Sequence, residues 1–109
     1  MKYLHTMVRV TDLEQSLRFY RDLLGLQETR RIENEKGRYT LVFLAPPGQP
    51  ESPVELTFNW DPEVYTGGRN FGHLAYEVDD IYAAARPPPG GCVTLNPPPR
   101  DSRPDILCS

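Results

Sequence analysis

Three observations on the 109-residue chain point to an α+β fold of two βαβββ modules, the second incomplete. Residues 3–60 pass from alternating hydrophobicity to helical spacing and back to alternation, in the order strand, helix, strand, strand, strand. His5, Val10, Asp12 and Leu13 recur at the same spacings, 68 residues on, as His73, Val78, Asp80 and Ile81, and both copies read as a strand running into a helix. Seven of the 12 prolines then crowd between Pro87 and Pro104, where the second copy ought to continue as the first does. The implied organisation is a first module over 1–66, the strand and helix of a second over 67–86, and an atypical proline-rich tail over 87–109.

Tyr3–Val10 reads as a strand, with Leu4, Thr6, Val8 and Val10 on one face and His5, Met7 and Arg9 on the other. Thr11 as N-cap with Glu14 three residues later suggests a capping box. Leu13, Leu17, Tyr20 and Leu24 follow at helical spacing, and Gly25 is placed to end the helix in a left-handed conformation. Strands are expected at Glu28–Ile32, Tyr39–Leu44 and Val54–Trp60, separated by the turn Asn34–Gly37 and the loop Pro46–Pro50. In the last of these strands Val54, Leu56 and Phe58 form the apolar face, and Glu55, Thr57 and Asn59 the other.

Asp61–Asn70 reads as a linker broken at Gly67-Gly68, followed by a strand over Gly72–Val78 and a helix that Pro87-Pro88-Pro89 stops near residue 86. Cys92–Leu95 suits a short strand, and Pro97–Ser109, with little to pack, is expected to be extended or disordered.

A formal charge of −3 argues against a basic nucleic-acid binder. No apolar run reaches the roughly 18–20 residues that span a bilayer, and the opening residues lack the core of a signal peptide, so a cytoplasmic protein without membrane contact is expected. Cys92 and Cys108 form neither a disulfide framework nor a metal-ligand spacing.

Polar residues stand where a purely structural sheet does not need them: His5 and Arg9 on one strand face, Glu55 and Asn59 on another, and His73 opposite Leu74, Tyr76 and Val78. If the sheet curls, that face becomes a polar concavity in which two imidazoles and a carboxylate can hold a divalent transition metal. Taken singly, each has a plainer reading: a hydrogen-bonded structural histidine, a solvated Glu55, arginines that are surface charges, and Asn59 as a strand end. The repeat favours the metal, because it gives His5 and His73 equivalent places. Tyr20, Phe43 and Trp60 suit core or pocket wall.

His5–Val10 with Asp12-Leu13, Phe19-Tyr20 and Leu24-Gly25, then Val54–Trp60, then Phe71–Ala75, together resemble the signatures of glyoxalase I, the lactoylglutathione lyases, over roughly residues 2–85. The repeat alone resembles the wider vicinal-oxygen-chelate superfamily, which also holds dioxygenases, resistance proteins and epimerases. The resemblance implies His5, Glu55 and His73 as metal ligands, with nickel, zinc or cobalt as the ion. It leaves Glu55 as the carboxylate that can remain as a base, and implies Arg9, Asn59 and Arg69, with His73, as the substrate-contacting set for glutathione. It also implies a homodimer whose metal site straddles the interface.

The implied reaction isomerises the hemithioacetal of methylglyoxal and glutathione to S-lactoylglutathione, a detoxification. A Lewis-acidic ion would stabilise the enediolate, a carboxylate would move the proton, and arginines would anchor the carboxylates of glutathione. The 68-residue offset carries Glu55 to position 123, beyond Ser109, so the fourth ligand and base of the family pattern has no counterpart here. The tail's composition suggests a frameshifted, alternative-exon or truncated product, which puts activity in question. The alternatives are a non-catalytic metal- or glutathione-binding remnant, and another superfamily member such as a thiol-transferring resistance protein, against which Arg9, Asn59 and Arg69 argue.

Overall fold

The computed structural model describes residues 1–66, 68–70, 72–79 and 106–108. The chain divides into two compact units, Met1–Tyr65 and Thr66–Ser109. In the first, strand β1 (Thr6–Val10) leads into helix α1 (Leu13–Leu17), which widens into a π-helical turn over Arg18–Leu23. Strands β2 (Gln27–Asn34), β3 (Tyr39–Ala45) and β4 (Val54–Asn59) follow. They form one four-stranded sheet in the order β1-β4-β3-β2, with β1 parallel to β4 and the other neighbours antiparallel.

The helix is capped by Asp12, not Thr11. Asp12 keeps an extended backbone (φ −134°, ψ 102°), and its carboxylate accepts from the Gln15 amide at 3.0 Å, which moves Glu14 out of the capping-box position. The π turn is a second departure. The Leu24 amide donates to the Phe19 carbonyl at 3.0 Å and the Leu26 amide to that of Tyr20 at 3.1 Å, so the helix ends one residue wider than a regular one. Gly25 takes the left-handed turn, φ +78°. Leu24 is therefore only half-buried, and Leu26 enters the core in its place.

The core holds Leu17, Tyr20 and Leu26 with Val42, Leu44, Val54 and Leu56. The strand residues among them alternate with a second set on the opposite sheet face. Paired positions across the strands put Met7, Glu55, Phe43 and Arg30 in one row of that second face, and Arg9, Thr57, Leu41 and Ile32 in the next. Central β4 is buried through Thr57, so the reading of Glu55 as a solvated strand residue does not hold: it is 8% exposed.

Leu4 and His5 precede β1, Trp60 follows β4, and β2 runs to Asn34, two residues past its expected end, with Thr29 as an extra residue in its register. Arg38 sits at φ +55° in the β2–β3 turn. Its guanidinium meets Asp61 at 2.8 Å and lies 5.8 Å from the Trp60 ring centre, while its carbonyl accepts from the Trp60 amide. The Trp60 indole N–H donates to Thr40 Oγ1 at 2.9 Å, which ties the residue after β4 back to β3.

In the second unit β5 covers only Ala75–Glu77 of the expected strand Gly72–Val78 and pairs antiparallel with β6, Ile106–Cys108. The end of the tail thus has a hydrogen-bonding partner that composition did not reveal, because backbone pairing needs no apolar side chains. The alternation of half-buried Leu74, Tyr76 and Val78 with exposed His73, Ala75 and Glu77 is present. The expected helix after Asp79 and the short strand at Cys92–Leu95 lie outside the described residues. Among the described residues, no helix is long and apolar enough to cross a membrane.

Candidate metal centre

The second face of the first unit's sheet brings two of the expected ligands together. His5, just before edge strand β1, and Glu55, on the adjacent central strand, meet with Nε2 2.7 Å from Oε2. The parallel pairing of β1 with β4 produces this meeting, since it sets Met7 beside Glu55 and so brings the residue two before Met7 to the same face. The imidazole remains accessible, with 34% of the His5 side chain exposed. Its ring stands edge-on to Phe43, with centroids 5.4 Å apart and planes at 79°.

The other oxygen of the carboxylate is also engaged: Thr57 Oγ1 donates to Glu55 Oε1 at 3.0 Å. Glu55 is therefore a buried acid with a partner for each oxygen, which removes the penalty of an unsatisfied buried charge.

The donor chemistry fits a divalent transition-metal ion. An imidazole nitrogen and a carboxylate oxygen already converge, a donor pair suited to such a cation. Among the described residues, no group of three His, Cys, Asp or Glu side chains gathers, so the first unit provides a two-donor half-site.

Asn59, also on β4, donates through Nδ2 to the Tyr65 hydroxyl at 3.2 Å. Arg9 is exposed on β1 beside Thr57, and no carboxylate pairs with it among the described residues. His73 and Arg69 belong to the second unit, where both are exposed.

Sequence reasoning missed Thr57, which was read only as a polar-face residue, and the aromatic support of His5 by Phe43. It also missed Arg30, whose guanidinium lies 6.0 Å from the Phe43 ring centre on the same sheet face. Alternation along β4 put Thr57 beside Glu55 from the start. Arg30 was hidden because its facing depends on the irregular register of β2.

Residues 2–102 match the family model of the Glyoxalase/Bleomycin resistance protein/Dioxygenase superfamily. The chain belongs to this superfamily. Lactoylglutathione lyase of Haemophilus influenzae is 48% identical over 84 residues, which make up 76% of this chain and 62% of that enzyme. Probable lactoylglutathione lyase of Vibrio cholerae is 43% identical over 101 residues, 90% of this chain and 73% of that protein. Among solved structures, the trypanothione-dependent glyoxalase I of Leishmania major superposes with a TM-score of 0.69 at 36% identity, over 77% of this chain and 61% of its own. The superfamily fold is thus present, while the chain spans about 62% of the length of the Haemophilus relative.

Proposed function

We propose that this superfamily member serves the glyoxalase I reaction, isomerising the hemithioacetal of methylglyoxal and glutathione to S-lactoylglutathione. The observation that carries this reading is the His5–Glu55 pair, a nitrogen and an oxygen donor held 2.7 Å apart. The 48% identity to a lactoylglutathione lyase supports it.

In this reading His5 and Glu55 are metal ligands and His73 is a third, supplied by a partner copy in a homodimer. A bound divalent ion, nickel, zinc or cobalt, supplies Lewis acidity toward the vicinal oxygens of the adduct.

The chain's own groups do the rest. Glu55 takes the proton from the carbon that bears it and returns it to the neighbouring carbon, the work of a positioned carboxylate. Burial at 8% exposure shields that carboxylate from competing water, and His5 holds one of its oxygens. Exposed Arg9, with no carboxylate of its own among the described residues, offers a charged fork for a substrate carboxylate. Asn59, steadied by Tyr65, offers an amide, and Arg69 a second cation.

Turnover of the hemithioacetal by the full chain with added Ni²⁺ tests the proposal. The expected result is isomerisation above the metal-only blank, falling about 100-fold or more in Glu55→Gln, as loss of a general base predicts. A rate equal to the blank would overturn it. A second reading, a metal- and glutathione-binding protein without turnover, draws on the two-donor half-site of the first unit, since no group of three His, Cys, Asp or Glu side chains gathers among the described residues. Calorimetric binding of an S-alkyl glutathione without isomerisation would establish that reading instead.

A further inference from the structure

We propose that Thr57 is a positioning residue: its hydroxyl fixes the Glu55 carboxylate so that Oε2 alone is presented beside His5. The inference rests on the His5–Glu55 reading above and adds a residue to it.

The two oxygens of a carboxylate are interchangeable by rotation about its last torsion, which is broad and weakly restrained in glutamate. Here they are not equivalent. Oε1 accepts from Thr57 Oγ1 at 3.0 Å, and Oε2 lies 2.7 Å from His5 Nε2. Glu55 and Thr57 are two apart on β4, hence on one face, and that strand lies between β1 and β3. With Glu55 at 8% and Thr57 at 9% exposure, water competes poorly for either end of the bond.

A threonine hydroxyl has a single proton to give, and this one gives it to Glu55. Valine would fill the same space and suit a strand equally well. What threonine adds is the donor. A carboxylate with one oxygen held in this way meets a cation through the other, and outer partners of this kind orient metal ligands generally.

The test is a titration of the full chain with Co²⁺, read by visible absorption, for wild type, Thr57→Val and Thr57→Ser. Thr57→Val should bind about 10–100-fold more weakly, the range seen when an outer-shell partner is lost, and Thr57→Ser, which keeps the donor, should bind close to wild type. At saturating Co²⁺ the bands of the valine variant should shift and those of the serine variant should not. Because those bands are read on folded, loaded protein, a loss of stability alone does not produce the shift.

Wild-type affinity and bands in Thr57→Val would overturn the role of Thr57 and leave the His5–Glu55 reading standing. An equal loss in Thr57→Ser would assign the effect to packing of the methyl group, with the same consequence. A wild-type chain that develops no Co²⁺ bands would overturn the His5–Glu55 reading, and this inference with it.

Discussion

Two strands of this protein open on the same pattern, a histidine followed by a valine five residues later and an aspartate seven residues later, and they end in different surroundings. Around His5 the strand runs parallel to central β4, lies beside a buried core, and meets Glu55 across the pairing. Around His73 the strand shortens to Ala75–Glu77 and pairs antiparallel with Ile106–Cys108. Among the described residues from Thr66 to Asp79, none is buried.

The difference teaches that a repeated local pattern sets the alternation of a strand but not its partner. The partner comes from chain far away: Val54–Asn59 for the first copy, and three tail residues for the second. His5 meets Glu55 because the distant strand beside it carries that carboxylate.

Amide hydrogen exchange should show this contrast most strongly. The β3 and β4 amides are expected to exchange about 100-fold or more slowly than those of β5, since buried central strands open only with the whole unit. Equal protection would break the comparison.

Core truncations come next. Leu56→Ala should cost about 2–5 kcal/mol in denaturant unfolding, as a fully buried leucine does, whereas Val78→Ala should stay within about 1 kcal/mol. A smaller third effect sharpens the account of the first copy's helix. Gly25→Ala, at φ +78° and with nothing within 4 Å of a new Cβ, should cost about 1–2 kcal/mol from backbone conformation alone.

The smallest effect concerns the turn that ties β2 and β3 to the end of β4. The hydrogen bond from Arg38, then its charge, lowers the Asp61 pKa below the ordinary carboxylate value. The pair's contribution is therefore complete above the unfolded pKa and lost as pH falls through the lowered folded one. Both groups are exposed, so Asp61→Asn should flatten only a small acid-side slope of stability.

Much of the first module was legible because its signals are local. Alternation in Tyr39–Ala45 and Val54–Asn59 marked the strands, and Gly25 marked the helix end. The cap was misplaced by one residue because Thr11 and Asp12 are both competent caps, and only the backbone turn chooses between them. The wide turn at Arg18–Leu23 left no mark in the spacing of Leu13, Leu17 and Tyr20, and showed only in the burial of Leu26.

At the site, alternation put His5 and Glu55 on polar faces but could not say that β1 and β4 are neighbours. Sheet order is a long-range property that no window of sequence contains. The pairing of Ile106–Cys108 escaped for the same reason, compounded by the prolines before it.

The central claim is that His5 and Glu55 hold one cation together, and equilibrium dialysis of the full chain against Ni²⁺ tests it most directly. Wild type should retain about one ion per site, while His5→Ala and Glu55→Gln should each lose most of that affinity, as expected when one donor of a small ligand set is removed. Uptake that is unchanged in both variants would contradict the claim.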